Sequence, residues 1–562
     1  MESNGIAVSA VESPYYKDGV TNEITLQDSE PAYLMKIRDA KLQGLLSHTG
    51  AWQPGRRRAS LEMRKPMRMN TIKHNKHMRH GIAKTLSATA LFATLACAGG
   101  ARADEFTVGR SGADIANSQY GLDGSGVTVA VIDSGVAPGR WDLLSGGSGS
   151  QSRVKFCVNL AANSETPYDQ CGHGTHVGGI IAGNGCNSTG DSYFRTFYGV
   201  ARKANLISVK VLDSRGQGTV SQVIQGIQWT ITNKLQYNIR VINLSLGHPV
   251  GESYTTDPLC QAVEAAWKAG IVVVCAAGND GRLTSGTTPG AGNEGYGTDY
   301  GSIQSPGNDP FVITVGAMKQ ISADRNYDRI ATYSSRGPSR LDYVMKPDIV
   351  APGNKVISLN STNSGLSNTY GGSNLLPWSA YANSAPSGNS PYYFRLSGTS
   401  MAAPVVSGAA ALMLQKYPTL TPDTIKARLM ISADKWAQPN GATDPCTFGA
   451  GYLNIPAALN CAAVATIPAL SPGLLPDPFG NVYVDPSRVI WGTDVNGTRV
   501  IWGVNGVNDL RVIWGTRVIW GTSANILDAS RVIWGTSVWA DRVIWGTASS
   551  AVDLTSTALN GE

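Results

Sequence analysis

Between residues 120 and 460, short runs rich in Val and Ile alternate with longer stretches in which apolar residues recur at helical spacing. This alternation is typical of a parallel β-sheet whose strands are joined by helices. The predicted fold class is therefore α/β, with a parallel central sheet and helices on both faces, followed by a β-prone repeat tail. Strands are predicted at 127–132, 206–211, 241–244, 271–274 and 311–315, and helices at 220–231 and 258–269.

Changes in composition divide the chain into five segments. Residues 1–62 precede a leader at 63–103, and one large domain is predicted at 104–465. Four prolines between 468 and 478 mark a linker, assigned to 466–486, and a repeat tail follows at 487–562. Inside the large domain, two stretches rich in Gly, Ser and Asn are predicted to be long surface loops, namely 281–309 and 360–391.

The leader has the three parts of a signal peptide. A basic segment begins at Met63, an apolar run follows at 85–98, and Ala101-Arg102-Ala103 is a small-x-small cleavage site. The apolar run is too short to span a bilayer. Because a signal peptide is recognised at the N-terminus, residues 1–62 are predicted to be a mis-assigned extension. Translation is then expected to start at one of four methionines, Met63, Met67, Met69 or Met78.

A signal peptide predicts a secreted or extracytoplasmic protein. Attachment to the cell envelope stays open, and lipidation of Cys97 is the weaker alternative because Thr94-Leu95-Ala96-Cys97 is a poor lipidation motif. The charges agree with a separable leader, since residues 1–103 hold 15 basic and 8 acidic side chains and the remainder holds 31 and 32. A nearly neutral body lacks the basic footprint of a nucleic-acid-binding protein, so nucleic acid is not an expected partner.

Cysteine usage fits an oxidising compartment. Seven of the eight cysteines follow the leader, so disulfides are expected and the odd number leaves one thiol free. Cys275 is the predicted free thiol because it ends the apolar run 271–274, where cysteine serves as a small hydrophobic residue. A metal cluster is disfavoured because no two cysteines have CxxC spacing.

Three histidines follow the leader, and one of them has the surroundings of a catalytic base. His173 lies in the glycine-rich segment 171–179, where the backbone can approach a ligand closely. An imidazole base needs an orienting carboxylate, and Asp133 stands at the carboxyl end of a predicted buried strand, the side of such sheets where ligands bind. His176 and Cys171 suggest a zinc site, but structural hydrogen bonding of His176 is favoured, and His248 is predicted to be a solvated loop residue.

A nucleophile and an oxyanion donor are available as well. Ser400, in 396–404, directly precedes an Ala-rich helix, whose unpaired N–H groups and positive dipole end favour a developing negative charge. Asn279 follows the central strand at 271–274, where its side-chain amide can be held rigidly. The order Asp, His, Ser excludes the α/β-hydrolase arrangement, in which the serine comes first.

Together these motifs resemble the subtilisin-like serine protease family. Four of them occur in the order of that family: Val131-Ile132-Asp133-Ser134-Gly135, Gly172-His173-Gly174-Thr175-His176-Val177, Ala276-Ala277-Gly278-Asn279 and Gly398-Thr399-Ser400-Met401-Ala402-Ala403-Pro404. The resemblance covers about residues 120–460. It implies a secreted serine endopeptidase that hydrolyses proteins through an acyl-enzyme intermediate.

The resemblance also assigns roles residue by residue. Ser400 is the implied nucleophile, His173 the general base and acid, and Asp133 the group that orients the imidazole, while Asn279 and the Ser400 N–H bind the oxyanion. Implied substrate-binding residues are Ser245, Leu246 and Gly247 on one side of the cleft and Ala277 and Gly278 on the other. No cofactor is required for the chemistry. Structural calcium stays open, with Asp142 at a matching ligand position.

The tail repeats Arg-Val-Ile-Trp-Gly six times, beginning at Arg488, Arg499, Arg511, Arg517, Arg531 and Arg542. Each copy is a β-prone block stopped by glycine, and the uneven spacing disfavours a strict solenoid. The tail is predicted to be an extended or loosely β appendage, with retention at a surface or docking against the core as functional alternatives. The competing function is a non-enzymatic surface protein that binds a partner through the Trp-rich repeats.

Overall fold

The computed structural model describes residues 107–476 apart from 147–148, 162–165, 284–295, 385 and 437–443. It also gives the backbone of short strands at 102–103, 482–484, 491–493, 500–502, 512–514, 518–520 and 542–544. The predictions made for residues 1–101, which include all of the leader except its last two residues, therefore lie outside the described residues.

An eight-stranded sheet forms the centre of the large domain. Its strands are β1 Thr128–Asp133, β2 Val154–Asn159, β3 Asn205–Lys210, β4 Ile239–Leu244, β5 Val272–Ala276, β6 Ile313–Lys319, β7 Arg329–Ile330 and β8 Ile349–Pro352. The order is β7-β6-β5-β4-β1-β3-β2, and β8 also pairs with β6. All these pairs are parallel except β6–β7. The predicted parallel sheet is therefore confirmed.

Five helices of the described residues are used to place the site: α1 His173–Ala182, α2 Val220–Thr232, α3 Pro258–Lys268, α4 Thr399–Lys416 and α5 Pro422–Ser432. Further helices lie at Val108–Ser111, Ala113–Tyr120, Lys234–Tyr237, Gly365–Asn374, Pro445–Phe448 and Ile455–Asn460. Local sequence explains where several begin. Thr219 and Gln222 form a reciprocal capping box at α2, and Asp257 caps α3 just before its proline.

Helices cover both faces of the sheet. A Cβ built on Gly178 of α1 would lie 3.3 Å from Leu206 of β3, whereas one built on Gly226 of α2 would lie 3.1 Å from Val209. Leu206 and Val209 are three positions apart on one strand, so their side chains point to opposite faces. The two helices therefore lie on opposite sides, and the prediction of a doubly covered sheet is confirmed.

The prediction of an irregular loop at 360–391 is wrong. This stretch contains the helix Gly365–Asn374 and the strand Leu375–Pro377, which pairs with Asn389–Leu396. Its buried residues include Tyr381, which stacks on Tyr193 at 5.6 Å and meets Phe197 edge-on. Isolated aromatic residues that pack against distant segments leave no periodic apolar pattern in the sequence.

Other predicted surface segments are also partly buried. Within 281–309, Ile303, Ser305 and Asn308 are buried, and 284–295 lies outside the described residues. At the start of the predicted linker, Ser471 and Leu474 are buried against the core. Proline and glycine indicate a lack of helix, but they carry no information about burial.

All seven cysteines of the described residues are free thiols. The expected disulfides are therefore not confirmed. Cys275 lies fully buried in β5, as predicted, and burial raises its thiol pKa well above the usual range. Among the described residues, no helix combines the length and apolar character needed to cross a bilayer.

A pH-dependent stability is expected from Asp309, which is fully buried. Burial raises the pKa of this carboxyl to about 7, above the value of about 3.9 in an unfolded chain. The folded state therefore binds the proton more tightly, and stability is lost as the pH rises from about 4 to about 7.

Asp309→Asn should flatten this profile, because the amide keeps an oxygen for the Phe311 N–H, now 2.8 Å from Asp309 Oδ1, and does not titrate. Urea unfolding at about pH 5 and pH 8 measures the effect. The exposed Asp324→Asn is the control. A variant that loses as much stability as the wild type between the two pH values would contradict the assignment.

Candidate active site

The candidate site lies at the carboxyl edge of the sheet, where β1, β3, β4 and β5 end. Asp133 is the last residue of β1 and is fully buried. β1 lies between β4 and β3, so the segments that leave these two neighbouring strands flank Asp133 on either side. This is the edge at which open parallel sheets bind ligands.

The structure brings His173 and Asp133 together. His173 is the first residue of α1, and its Nδ1 lies 2.8 Å from Oδ1 and 3.0 Å from Oδ2 of Asp133. Both side chains are completely buried. A carboxylate at Nδ1 fixes the tautomer in which Nδ1 carries the proton, so Nε2 is the acceptor nitrogen of the neutral ring.

Asp169 positions this pair and was not found from the sequence. Its Oδ1 accepts hydrogen bonds from Gly172 N at 2.7 Å and from Ser134 Oγ at 2.9 Å, while Oδ2 accepts from Thr175 N at 2.8 Å. The buried carboxyl therefore ties the start of α1 to the residue that follows Asp133, and burial raises its pKa. The sequence feature that could have identified Asp169 is its position a few residues before a helix, since a carboxylate there can accept hydrogen bonds from the first N–H groups of that helix.

Ser400 lies in the first turn of α4, and the structure joins it to the strand next to β1. Its hydroxyl donates to the carbonyl of Ser245 at 3.1 Å, and the hydroxyl of Ser245 donates back to the carbonyl of Ser400 at 2.8 Å. Val131 pairs with Asn243 between β1 and β4, so Ser245 stands level with Asp133 across that pair. The serine is therefore held beside the Asp133–His173 pair.

Asn279 is fixed to the same loop as Ser400. Its Oδ1 accepts from the backbone N–H of Thr399 at 2.9 Å and lies 3.1 Å from the Thr399 hydroxyl. With the oxygen oriented in this way, the amide Nδ2 is the donor end of the side chain. Asn279 is 8% exposed and Ser400 4%, so donor and hydroxyl lie just below the surface of the cleft.

The two predicted walls of the substrate cleft face each other across Gln304, another residue that sequence analysis missed. A Cβ built on Gly247 would lie 3.0 Å from Gln304 Oε1, and one built on Gly278 would lie 2.8 Å from its Cγ. Gln304 Nε2 donates to Asp280 Oδ2 at 2.5 Å, and burial raises the pKa of Asp280 to about 7. The space between the walls is therefore lined by polar groups.

The surroundings of Asp142 do not fit a calcium ion. Its Oδ2 accepts a hydrogen bond from Asn187 Nδ2, and its Oδ1 accepts one from the Tyr393 hydroxyl at 3.0 Å. Calcium requires several oxygen ligands, whereas both carboxylate oxygens here face donors. Among the described residues, no group of three or more His, Cys, Asp or Glu side chains could hold a metal ion. Asp142 therefore acts as a buried hydrogen-bond acceptor.

His176 has a structural role, which the sequence analysis favoured over the alternative of a zinc ligand. Its Nε2 lies 3.2 Å from the carbonyl of Val356 and 3.1 Å from that of Phe394, so this nitrogen donates to the strands beside α1. Burial lowers its pKa to about 3, and the ring is neutral. His248 is partly buried rather than fully solvated, because its backbone bridges to Ser305.

Comparison with known proteins identifies the class. The sequence profile of the subtilase family matches residues 124–451. Serine protease AprX of Bacillus subtilis (strain 168) is 39% identical over 343 residues, which cover 59% of this chain and 66% of that protein. Subtilisin DY of Bacillus licheniformis is 35% identical over 338 residues, 60% of this chain and 92% of the relative. Subtilisin of Bacillus pumilus is 37% identical over 339 residues, with the same two coverages.

The fold and the site thus define a serine peptidase with a parallel α/β core. The chain belongs to the subtilase family, and it is a subtilisin-like serine endopeptidase. Polypeptides are accordingly its class of substrate. The resemblance seen in the four sequence motifs is confirmed at the level of the family.

Asp169→Asn should destabilise the protein and impair the site. An amide places N–H groups opposite backbone N–H donors at the start of α1, and each buried donor left unsatisfied costs about 1–3 kcal/mol. We expect the free energy of unfolding to fall by about that amount and turnover to fall with it. Urea unfolding and peptide hydrolysis measure the two effects. The exposed Asp191→Asn is the matched control, and equal stability of both variants would show that Asp169 does not hold the helix start.

Proposed function

We propose that the chain is a secreted endopeptidase that cleaves proteins through an Asp133–His173–Ser400 triad and an acyl-enzyme intermediate. The observation that carries the proposal is the buried contact of 2.8 Å between His173 Nδ1 and Asp133 Oδ1, with Ser400 hydrogen-bonded to Ser245, which directly follows the adjacent strand β4. A buried carboxylate that fixes an imidazole tautomer beside a serine is the arrangement required for nucleophilic catalysis.

The first half of the reaction forms the acyl-enzyme. The Ser400 hydroxyl turns from the Ser245 carbonyl toward His173 Nε2, a rotation about one side-chain bond. Its oxygen attacks the scissile carbonyl while Nε2 takes the proton, and Asp133 stabilises the resulting imidazolium. The negative charge that develops on the carbonyl oxygen is bound by Asn279 Nδ2 and the Ser400 N–H.

The second half releases both products. As the tetrahedral intermediate collapses, the carbon–nitrogen bond breaks and His173 gives its proton to the leaving amine. Water then enters, loses a proton to His173 and attacks the ester on Ser400. Collapse of this second intermediate breaks the ester bond and returns the proton to the serine oxygen, so no cofactor is consumed.

Support for the cleft as a binding site for extended polypeptides comes from its walls. Ser245, Leu246 and Gly247 continue β4 beyond the sheet, and Ala277 and Gly278 continue β5. Backbone groups beyond the end of a parallel sheet can pair with an extended segment, and the polar Gln304 and Asp280 lie between the walls. These residues are the proposed binding surface for the side chain and backbone next to the cleaved bond.

Removal of the nucleophile or of the oxyanion donor tests the assignment. Ser400→Ala should lower turnover by about a million-fold, and Asn279→Ala by about a hundred- to a thousand-fold, magnitudes known for subtilisin itself. Initial rates with a chromogenic peptide measure both. Ser118→Ala, at an exposed serine, is the control. Wild-type activity in either site variant would contradict its assigned role.

A serine-directed phosphonofluoridate separates the peptidase from the alternative, a non-enzymatic surface protein that binds through its Trp-rich repeats. Only a serine activated by its neighbours forms a phosphonyl ester, because an ordinary hydroxyl is a weak nucleophile. Mass spectrometry should find the label on Ser400 in the wild type and none in Ser400→Ala. An unlabelled wild type that still binds a surface would favour the alternative.

Export is proposed from the leader alone. The basic segment from Met63, the apolar run and the Ala101–Ala103 site predict that the mature chain begins near Asp104. N-terminal sequencing of the exported protein measures its first residue. A mature start far from Asp104 would refute the assigned cleavage site. Envelope attachment stays a prediction, and fractionation of cells that express the chain with and without residues 487–562 tests it.

A further inference from the structure

The sixth copy of the repeat pairs with the core at the edge of the candidate site. Residues Arg542–Ile544 form an antiparallel pair with the strand Gln217–Thr219, and Val543 stands opposite Gly218. In the described residues, this short strand of the core has no other β partner. We call it the edge strand. It lies between β3 and α2 in the chain.

Hydrogen bonds place the edge strand beside the catalytic aspartate. Directly after β3, the N–H groups of Val211 and Leu212 both donate to the carbonyl of Asp133, at 2.8 and 3.2 Å. The chain then turns back through Asp213, whose N–H donates to the Gln217 carbonyl at 2.8 Å. A Cβ built on Gly218 would lie only 2.4 Å from the Val211 carbonyl. The edge strand is therefore packed on the segment that touches Asp133.

The same turn borders the approach to His173. The Ser214 carbonyl would lie 3.1 Å from a Cβ built on Gly365, and Gly365 N donates to the carbonyl of Gln170 at 2.8 Å. Gln170 is three residues before His173. Since β1 lies between β3 and β4, the edge strand and Ser245–Gly247 stand on opposite sides of the Asp133–His173 pair. A segment paired with the edge strand therefore borders the cleft in which a substrate must lie.

The edge strand offers one residue to a partner. The N–H of Gln217 donates to Asp213 Oδ1 at 2.9 Å. The N–H of Thr219 donates to Gln222 Oε1 at 2.8 Å as part of the cap of α2. Gly218, between them, is the residue opposite Val543. In an antiparallel ladder alternate residue pairs exchange both backbone hydrogen bonds. We infer that Gly218 and Val543 form that pair, which recognises an extended backbone of any sequence.

The other described copies of the repeat pair among themselves. Trp491–Thr493 pairs with Val500–Trp502, and Val512–Trp514 pairs with Val518–Trp520, both antiparallel. The fifth copy, at 531–535, lies outside the described strands. The sixth copy is thus the one described copy that pairs with the core, although its Val-Ile sequence has the same strand propensity as the others.

We propose that Arg542–Ile544 is an intramolecular inhibitor strand, which occupies the edge strand and competes with polypeptide substrates for the cleft. This inference rests on the proposed peptidase function. Strand addition to an open edge supplies the affinity through backbone hydrogen bonds. Tethering to the same chain gives the strand an effective concentration on the order of millimolar, so even a weak contact is populated. Binding of a substrate in the cleft and pairing of Arg542–Ile544 with the edge strand then exclude each other.

Val543→Pro in the full chain tests the proposal, and Val512→Pro is the matched control in the third repeat. Proline has no N–H to donate to the edge strand. If Arg542–Ile544 occupies the edge strand about nine-tenths of the time, loss of this pairing should lower the apparent KM for a chromogenic peptide roughly ten-fold and leave kcat unchanged. Val512→Pro should keep the wild-type KM. Equal values of KM in wild type and Val543→Pro would overturn the proposal.

A free peptide of sequence 541–547 supplies an independent measurement. Added to Val543→Pro, it should raise the apparent KM without changing kcat, whereas the same peptide with proline in place of Val543 should have no effect. A peptide that does not inhibit, or that lowers kcat alone, would overturn the proposal. Failure of the peptidase function itself would differ, since all three proteins would then be inactive and Ser400 would not react with the phosphonofluoridate. Active enzymes with identical KM values would refute only the inhibitor strand.

Discussion

The buried contact between the His173 imidazole and the Asp133 carboxylate is the interaction on which the site depends. Two ionisable groups without exposed surface require partners on every polar atom, and much of the surrounding structure supplies them. Asp169 supplies the start of α1 with acceptors and is itself tied to Ser134. The sheet holds Asp133 at the end of a strand that cannot shift without breaking its pairing with both β3 and β4.

The proposed nucleophile and the proposed oxyanion donor are attached to this frame by contacts with backbone groups, and these contacts do not involve His173 or Asp133. Ser400 and Ser245 exchange hydroxyl-to-carbonyl hydrogen bonds, and Asn279 is bound to the N–H of Thr399. The positions of Ser400 and Asn279 are therefore set by β4, β5 and α4 before any substrate arrives. Such preorganisation is what makes donors effective toward a charge that exists only during the reaction.

The features that could be predicted from the sequence are those determined by residues close together in the chain. The strands that carry Asp133 and Asn279 are continuous runs of buried aliphatic residues, and the motifs around His173 and Ser400 have the spacing that the chemistry needs. Asp169 and Gln304 were missed because their importance arises from partners brought together by the fold. The segment 360–391 was misjudged for a similar reason, since its order comes from Tyr381 and other aromatic residues that pack on distant segments. The expectation of disulfides came from compartment and composition, which do not determine distances between sulfur atoms.

The proposed convergence of Asp133, His173, Asn279 and Ser400 on one reacting carbon is tested most directly by a crystal structure with a peptide boronate bound. We expect a covalent bond from Ser400 Oγ to boron, with His173 Nε2 within hydrogen-bond distance of that Oγ or of a boronate oxygen. One boronate oxygen should be held by Asn279 Nδ2 and the Ser400 N–H. A boronate attached elsewhere, or an adduct on Ser400 with His173 and Asn279 beyond hydrogen-bond reach, would contradict it.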